Sequence, residues 1–173
     1  MEKGEVFISE KDGITFIRAK GNASFVCAPP LRELAKKLAA EPFGGLKVDL
    51  EECTWMDSTF MGILAMLGLR AKKIGAVISV HYAGQQNTEL LCGLGLKKLF
   101  LFVDTCSDLD GCPLPVANGE QPKPTAENHA RTVLEAHETL MDVDEGNVKK
   151  FDKVVDLVRK DLERVSGQDK QEN

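Results

Sequence analysis

No apolar run in this chain reaches the roughly 20 residues that a membrane-spanning helix needs, because Arg70 and Lys72-Lys73 cut off the longest one. The opening MEKGEVFISEKDG is charged and has no apolar centre of the kind a secretion signal carries. A cytoplasmic protein without direct membrane insertion is therefore expected. Basic clusters are also missing: the net charge is −5, and neutralising a phosphate backbone requires grouped Lys and Arg, so nucleic acid is not an expected partner. The Lys97-Lys98 and Lys149-Lys150 pairs read as solvated faces. The five cysteines (Cys27, Cys53, Cys92, Cys106 and Cys112) are odd in number and contain no C-x-x-C pair, which suits free thiols in a reducing compartment rather than a disulfide framework. His81, His129 and His137 form no H-E-x-x-H pattern, so neither a metal nor another cofactor is expected. There is no phosphate-binding G-x-x-x-x-G-K-[ST], and Gly93-Leu94-Gly95-Leu96 lacks a third glycine and reads as a helix cap and turn. Asp142-Val143-Asp144-Glu145-Gly146 has its glycine out of place for a calcium loop and reads as a polar turn. With no concentrated set of acids, bases or ligands, an enzyme is not expected.

What the chain does contain is a regular alternation of periods. Val6 to Glu10 and Ile14 to Lys20 are short apolar strands joined by Lys11-Asp12-Gly13, a hairpin signal. Leu31, Leu34, Ala35 and Leu38 then recur at helical spacing, with Pro29 or Pro30 in the first turn and Pro42-Phe43-Gly44-Gly45 as the stop. LKVDL, residues 46–50, is a strand that can continue to Thr54. Ser58 to Ile74 is a helix, AVISVHY (76–82) a strand, Asn87 to Leu94 a short helix, and Leu99 to Val103 a last strand. The order β-β-α-β-α-β-α-β predicts an α/β domain with a mixed sheet over residues 1–106.

Residues 107–124 hold four of the seven prolines and read as a linker. Beyond them, Ala126, Ala130, Val133, His137 and Leu140 step by three and four, as do Val148, Phe151, Val155, Val158, Leu162 and Val165. Two amphipathic helices with narrow apolar seams follow, and neither can bury its seam alone. They are expected to form a helical hairpin over 125–166 that docks on the α/β domain or on a second subunit, with 167–173 as a flexible tail. His137 on such a seam reads as a packed or rim histidine.

The stretch WMDSTFMGIL, Trp55 to Leu64, has two readings. In one, Asp57 is an N-cap and Met56 and Met61 form a hydrophobic staple, so the stretch is a plain helix start. In the other, the strand-to-helix turn is the functional point. Such turns lie at the carboxyl end of the sheet, where sites concentrate. Ser58 would stand in the first turn beside free backbone amides, where the helix dipole favours a phosphate; modification would add a charge of about −1.5 to −2 next to Asp57. The helix is also too apolar for a one-sided surface element. Met61, Ala65, Gly68 and Leu69 lie off its core stripe, and Gly62 and Gly68 each cost about 1 kcal/mol relative to alanine. Small, methionine-rich surface suits close approach by a partner; the alternative is that the glycines let the helix lie near the sheet.

The element order, together with D-S-T-F-M-G-I-L at the third-strand-to-helix turn, resembles the STAS-domain family of anti-sigma factor antagonists, also called anti-anti-sigma factors. That family's turn reads approximately Asp-Ser-Ser/Thr/Ala-x-x-Gly, which Asp57, Ser58, Thr59 and Gly62 fit, and GNASFVCAPPLREL is similar to its second-strand-to-helix segment. The likeness covers about residues 4–104. It implies a bacterial, cytoplasmic phosphoprotein that regulates transcription by protein–protein interaction in signal transduction. Ser58 would be the site phosphorylated by a partner that is both serine kinase and anti-sigma factor, and Thr59 a weaker acceptor. The unphosphorylated form would bind that partner through Asp57, Ser58, Thr59, Met61, Gly62, Ala65, Asn22 and Ser24, and a cognate phosphatase would reset the switch. The alternative within the family is a non-phosphorylated scaffold or a small subunit of a lipid- or anion-transport complex. The linker and hairpin fall outside the family's basic domain; they offer a homodimer contact, a cover for the partner face, or a further binding surface.

Overall fold

The computed structural model describes residues 2–104 and 125–168; the expected linker, Cys106 and Cys112 lie outside them. Strands β1 (Glu5–Lys11) and β2 (Ile14–Ala23) form an antiparallel hairpin. Its turn residues Asp12 and Gly13 have φ of 53° and 75°. Positive φ at both central positions matches the right-handed twist of the strands, and Asp-Gly tolerates it. Helix α1 (Pro29–Ala40) buries Leu31, Leu34, Ala35 and Leu38, as its spacing predicts, and Arg32 with them.

Strand β3 (Gly45–Asp49) is followed by β4 (Cys53–Met56), α2 (Ser58–Ile74), β5 (Val77–His81), α3 (Gly84–Gly93), a 3-10 turn at Leu96–Leu99 and β6 (Leu101–Val103). The sheet runs β1-β2-β3-β5-β6, parallel throughout except for β1. This is the mixed α/β architecture that the alternation of periods predicts. Residues 46–54 depart from expectation: they form two strands rather than one. Asp49 Oδ1 accepts from Glu51 N–H at 3.0 Å, and Cys53 N–H donates to Leu50 O at 3.0 Å, so the chain turns between them. An aspartate side chain that bonds the backbone two residues on is a turn former. Strand β2 then serves both, its first half pairing with β3 and its end, after a register shift at Gly21/Asn22, with β4.

Helix α2 occupies the span expected of it and closes at Gly75, whose φ of 73° is left-handed. Ala76 N–H reaches back to Ala71 O at 2.9 Å, the bond that closes such caps. Phe60, Ile63, Leu64 and Leu67 face the core and are almost completely buried.

The C-terminal segment forms α4 (Ala126–Val143) and α5 (Glu145–Gln168), separated by Asp144 alone. Asp144 Oδ1 accepts from Gly146 N–H at 2.8 Å and starts α5, so the polar turn is tighter than its sequence suggests. Of the residues assigned to the α4 seam, His137 and Leu140 are buried, whereas Ala126 is exposed and Ala130 and Val133 are half-buried. The buried set is Thr132, Ala136, His137, Leu140 and Val143, because α4 packs on two neighbours at once: α5 on one side and α2 on the other. On α5, Val155 and Leu162 are buried, Phe151 and Val158 are half-buried, and Val148 and Val165 are exposed. Among the described residues no helix is long and apolar enough to cross a membrane.

Candidate functional site

Strands β2 and β4 run parallel and end together, Ala23 opposite Met56. Two chain segments therefore leave the sheet side by side, and Asp57 ties them. Its N–H donates to Ala23 O at 2.9 Å; its carboxylate accepts from Phe25 N–H at 2.8 Å and from Phe60 N–H at 2.7 Å. The last bond is the N-cap expected of it. Met56 and Met61 are both buried against the core, as a staple requires. The other bond explains why Ser24 stands near the Asp57-Ser58-Thr59 turn, since the 24–27 loop is held by the capping carboxylate itself, while Asn22 is placed there by its pairing with Trp55. Cys27 lies under this loop, its thiol donating to Ser24 O at 3.3 Å, and burial pushes its pKa up.

Ser58 occupies the first helical position of α2, half-buried. Its Oγ lies 2.8 Å from Nε2 of His137 on α4. Nδ1 of the same ring lies 2.7 Å from Val133 O. A carbonyl can only accept, so Nδ1 carries the proton, Nε2 of the neutral ring is an acceptor, and the Ser58 hydroxyl donates to it. A serine hydroxyl on an imidazole supplies two members of a nucleophilic relay. Here, however, the ring is oriented by a carbonyl of its own helix and not by a carboxylate. The pair sits within a helix-to-helix contact, with the ring of Phe151 packed edge-on to His137 at 4.8 Å between centroids. The arrangement is a clasp.

One turn further along α2, Gly62 meets α4 directly. A Cβ on Gly62 would stand 2.4 Å from Ala136 O and 2.7 Å from Ala136 Cβ. The glycine is there because two helix backbones approach more closely than any side chain permits. Gly68 answers a different neighbour, with Leu99 and Phe100 each 3.0 Å from its built Cβ. Thr59, Met61, Gly62 and Ala65 are all buried. Of the second apolar side of α2, which suggests a partner in the sequence, the part around Gly62 is thus covered by the chain's own α4, whereas Gly68 faces Leu99 and Phe100 and Leu69 stays exposed.

The hairpin is held at further points. Arg32 on α1 makes a two-pronged pair with Glu135, at 2.9 and 2.7 Å; that carboxylate raises the guanidinium's already high pKa. The Phe25 ring meets His129 edge-on at 5.8 Å. Asn147, buried, donates to Leu94 O at 2.9 Å and Leu140 O at 2.8 Å, and Lys150 donates to Gly93 O at 3.0 Å. Lys98 in turn donates to Val143 O. Each cation meets carbonyls left unpaired at a helix end, where the dipole favours positive charge.

The eight residues predicted to form the binding face therefore lie along the first half of α2, at its cap, and on the end of β2 and the loop that the cap holds. Arg32, Glu135 and the role of His137 are additions from the structure. His137 reads from sequence only as a packed seam residue, which it is; that it packs on Ser58, 79 positions away, has no local signal.

No protein-family model matches the chain, and no curated protein matches it. Among solved structures, it is similar to an anti-sigma factor antagonist from Mycobacterium paratuberculosis, with 22% identity and a TM-score of 0.47 over 60% of this chain and 87% of that one. It is similar to the anti-sigma factor antagonist SpoIIAA in its unphosphorylated form, with 11% identity and a TM-score of 0.49 over 58% of this chain and 89% of that one. A third similarity is to SLC26A9, at 19% identity and a TM-score of 0.40, covering 56% of this chain and 21% of that one. The functional reading rests on the α2 face itself.

Proposed function

We propose that the chain is a cytoplasmic regulatory protein-binding module of the anti-sigma factor antagonist type, not an enzyme, switched at Ser58. In this reading the face of α2 around Ser58 engages an anti-sigma factor that is also a serine kinase. Phosphorylation of Ser58 ends the binding, and a phosphatase restores it. The observation that carries the reading is the placement of Ser58. Its hydroxyl is at the first turn of α2, beside the capping Asp57, on a helix face of small residues that accepts another helix. A phosphate there is compatible with the helix, since the free amides and the dipole favour an anion. It is incompatible with the closely packed neighbour, because a dianion beside Asp57 needs cations, and Arg32, the cation of this face, is already paired with Glu135.

A second reading is favoured by the Ser58–His137 bond. If that clasp is permanent, Ser58 is structural, the face is filled by α4 for good, and the module is a constitutive scaffold or a transport-complex subunit. The Ser58→Asp and Ser58→Ala variants separate the two. Under the switch, partner recovered on full-length Ser58→Asp falls at least about tenfold below that on Ser58→Ala, about 1.4 kcal/mol or more. Equal recovery on both variants leaves the scaffold reading standing and removes the switch.

A further inference from the structure

The contacts at α4 go beyond a cover. A helix that binds the Ser58 face must bring a small residue to Gly62, since a Cβ on Gly62 itself would meet backbone there. It must offer an acceptor to the Ser58 hydroxyl and a carboxylate to the nearly buried Arg32. On α4 these requirements are met by three consecutive residues, Ala136, His137 and Glu135, with Leu140 and Val143 continuing the apolar side toward the C-terminus. We propose that α4 is an internal ligand of this face. The docked hairpin holds the module in a masked state, and an external partner engages by presenting an amphipathic helix of the same chemistry (a small residue flanked by an acceptor and an acid) that takes the place of α4.

The proposal rests on the reading of α2 as a binding face and does not depend on phosphorylation. Two features make the docked state releasable. Where Gly62 meets Ala136 the apolar gain per residue is small, and the larger apolar contribution comes only from Leu140 and Val143 further along α4. The hold is then shared with polar contacts that water or a partner can replace, and Glu135 is 39% exposed at its side chain. The hairpin also stays tethered to the domain through residues 105–124, so it competes at a high effective concentration and an external helix must outbid it. In the docked state the 2.8 Å between Ser58 Oγ and His137 Nε2 leaves no room for a phosphate or a kinase. Release of α4 therefore comes before any modification of Ser58.

The test uses the full-length chain and an Ala136→Arg variant, which alters only the hairpin side of the contact. Glu135→Lys, which turns the Arg32 pair into a repulsion, is the milder second variant. Amide exchange reports docking, and the probe is a fluorescent synthetic copy of residues 125–166. In Ala136→Arg, exchange across α4 and α5 is expected to rise at least about tenfold, with β2, β3 and β5 unchanged. That variant binds the probe at least about tenfold more tightly than wild type, and Glu135→Lys falls between the two. Three outcomes overturn the proposal: exchange that rises in the strands as well, which makes the hairpin an integral part of the domain; no rise at all in either variant; or a released chain that binds the probe no better than wild type does. No kinase or natural partner is in the tube. A Ser58 that is never phosphorylated would defeat the switch and leave these results untouched.

Discussion

Gly62→Leu should part the hairpin from the domain and at the same time close the face to any other helix. Leucine is the better helix former and returns about 0.8 kcal/mol to α2 taken alone. Against that stands the position of the added Cβ, 2.4 Å from Ala136 O and 2.7 Å from Ala136 C. The obstruction is backbone, so no rotamer change relieves it and α4 must move as a unit. Overpacking of this kind costs about 3 kcal/mol at the upper end of its usual range. The gain within α2 is the same whether or not α4 is docked, so about 3 kcal/mol stands against docking, roughly a hundredfold fall in the ratio of docked to released hairpin. Amide exchange across α4 and α5 should rise by that factor, while β3 and β5 stay protected. The contrast with Ala136→Arg is the informative part. Both variants undock the hairpin, but Gly62→Leu leaves a face that no close-packed helix can use. If Gly62→Leu binds an external helix as well as Ala136→Arg does, small-residue contact at Gly62 is not what the face selects.

The second large effect is expected at Asp57. Its carboxylate is shared between the α2 cap and the loop that leaves β2, with acceptor distances of 2.7 Å to Phe60 N and 2.8 Å to Phe25 N. Asp57→Ala loses both bonds. Loss of an N-cap costs about 1 kcal/mol, and a bond to a charged group contributes about 1.5 kcal/mol or more. Together these put the variant about 2–3 kcal/mol below wild type, or roughly 5–10 °C in Tm for a chain of this size. Asp57→Asn keeps a capping oxygen and should lose only about half as much. Thermal unfolding of the three proteins checks the order. An Asp57→Ala that melts with wild type would mean that Ala23, through its bond to Asp57 N–H, holds the turn without the side chain.

Much of the α/β domain was readable because its signals are local. Asp12-Gly13 states its own turn, the Leu31-Leu34-Ala35-Leu38 spacing states the buried side of α1, and Asp57 marks the start of α2. The break between β3 and β4 was missed because the run from Leu46 to Thr54 shows no glycine or proline; an aspartate side chain makes the turn instead. The C-terminal helices were legible as helices, but the buried set was displaced toward Thr132 and Ala136. A single-seam pattern assumes one neighbour, and α4 has two. Contacts such as Ser58 with His137 and Arg32 with Glu135 join positions 79 and 103 apart, which no periodicity reports. One local sign did point to them. A glycine in the middle of a strongly apolar helix asks for a close neighbour, and Gly62 has one in Ala136.

Whether Ser58 is a point of control is tested by quantitative phosphosite mapping by mass spectrometry. Wild type and Ala136→Arg would be isolated from the chain's own cells, in growth and under stress. Phosphate is expected at Ser58, with an occupancy that changes between the two conditions and is higher when the hairpin is released. Ser58 unmodified in both proteins under both conditions would contradict such control, and would leave the Ser58–His137 bond as a permanent fastening of the fold.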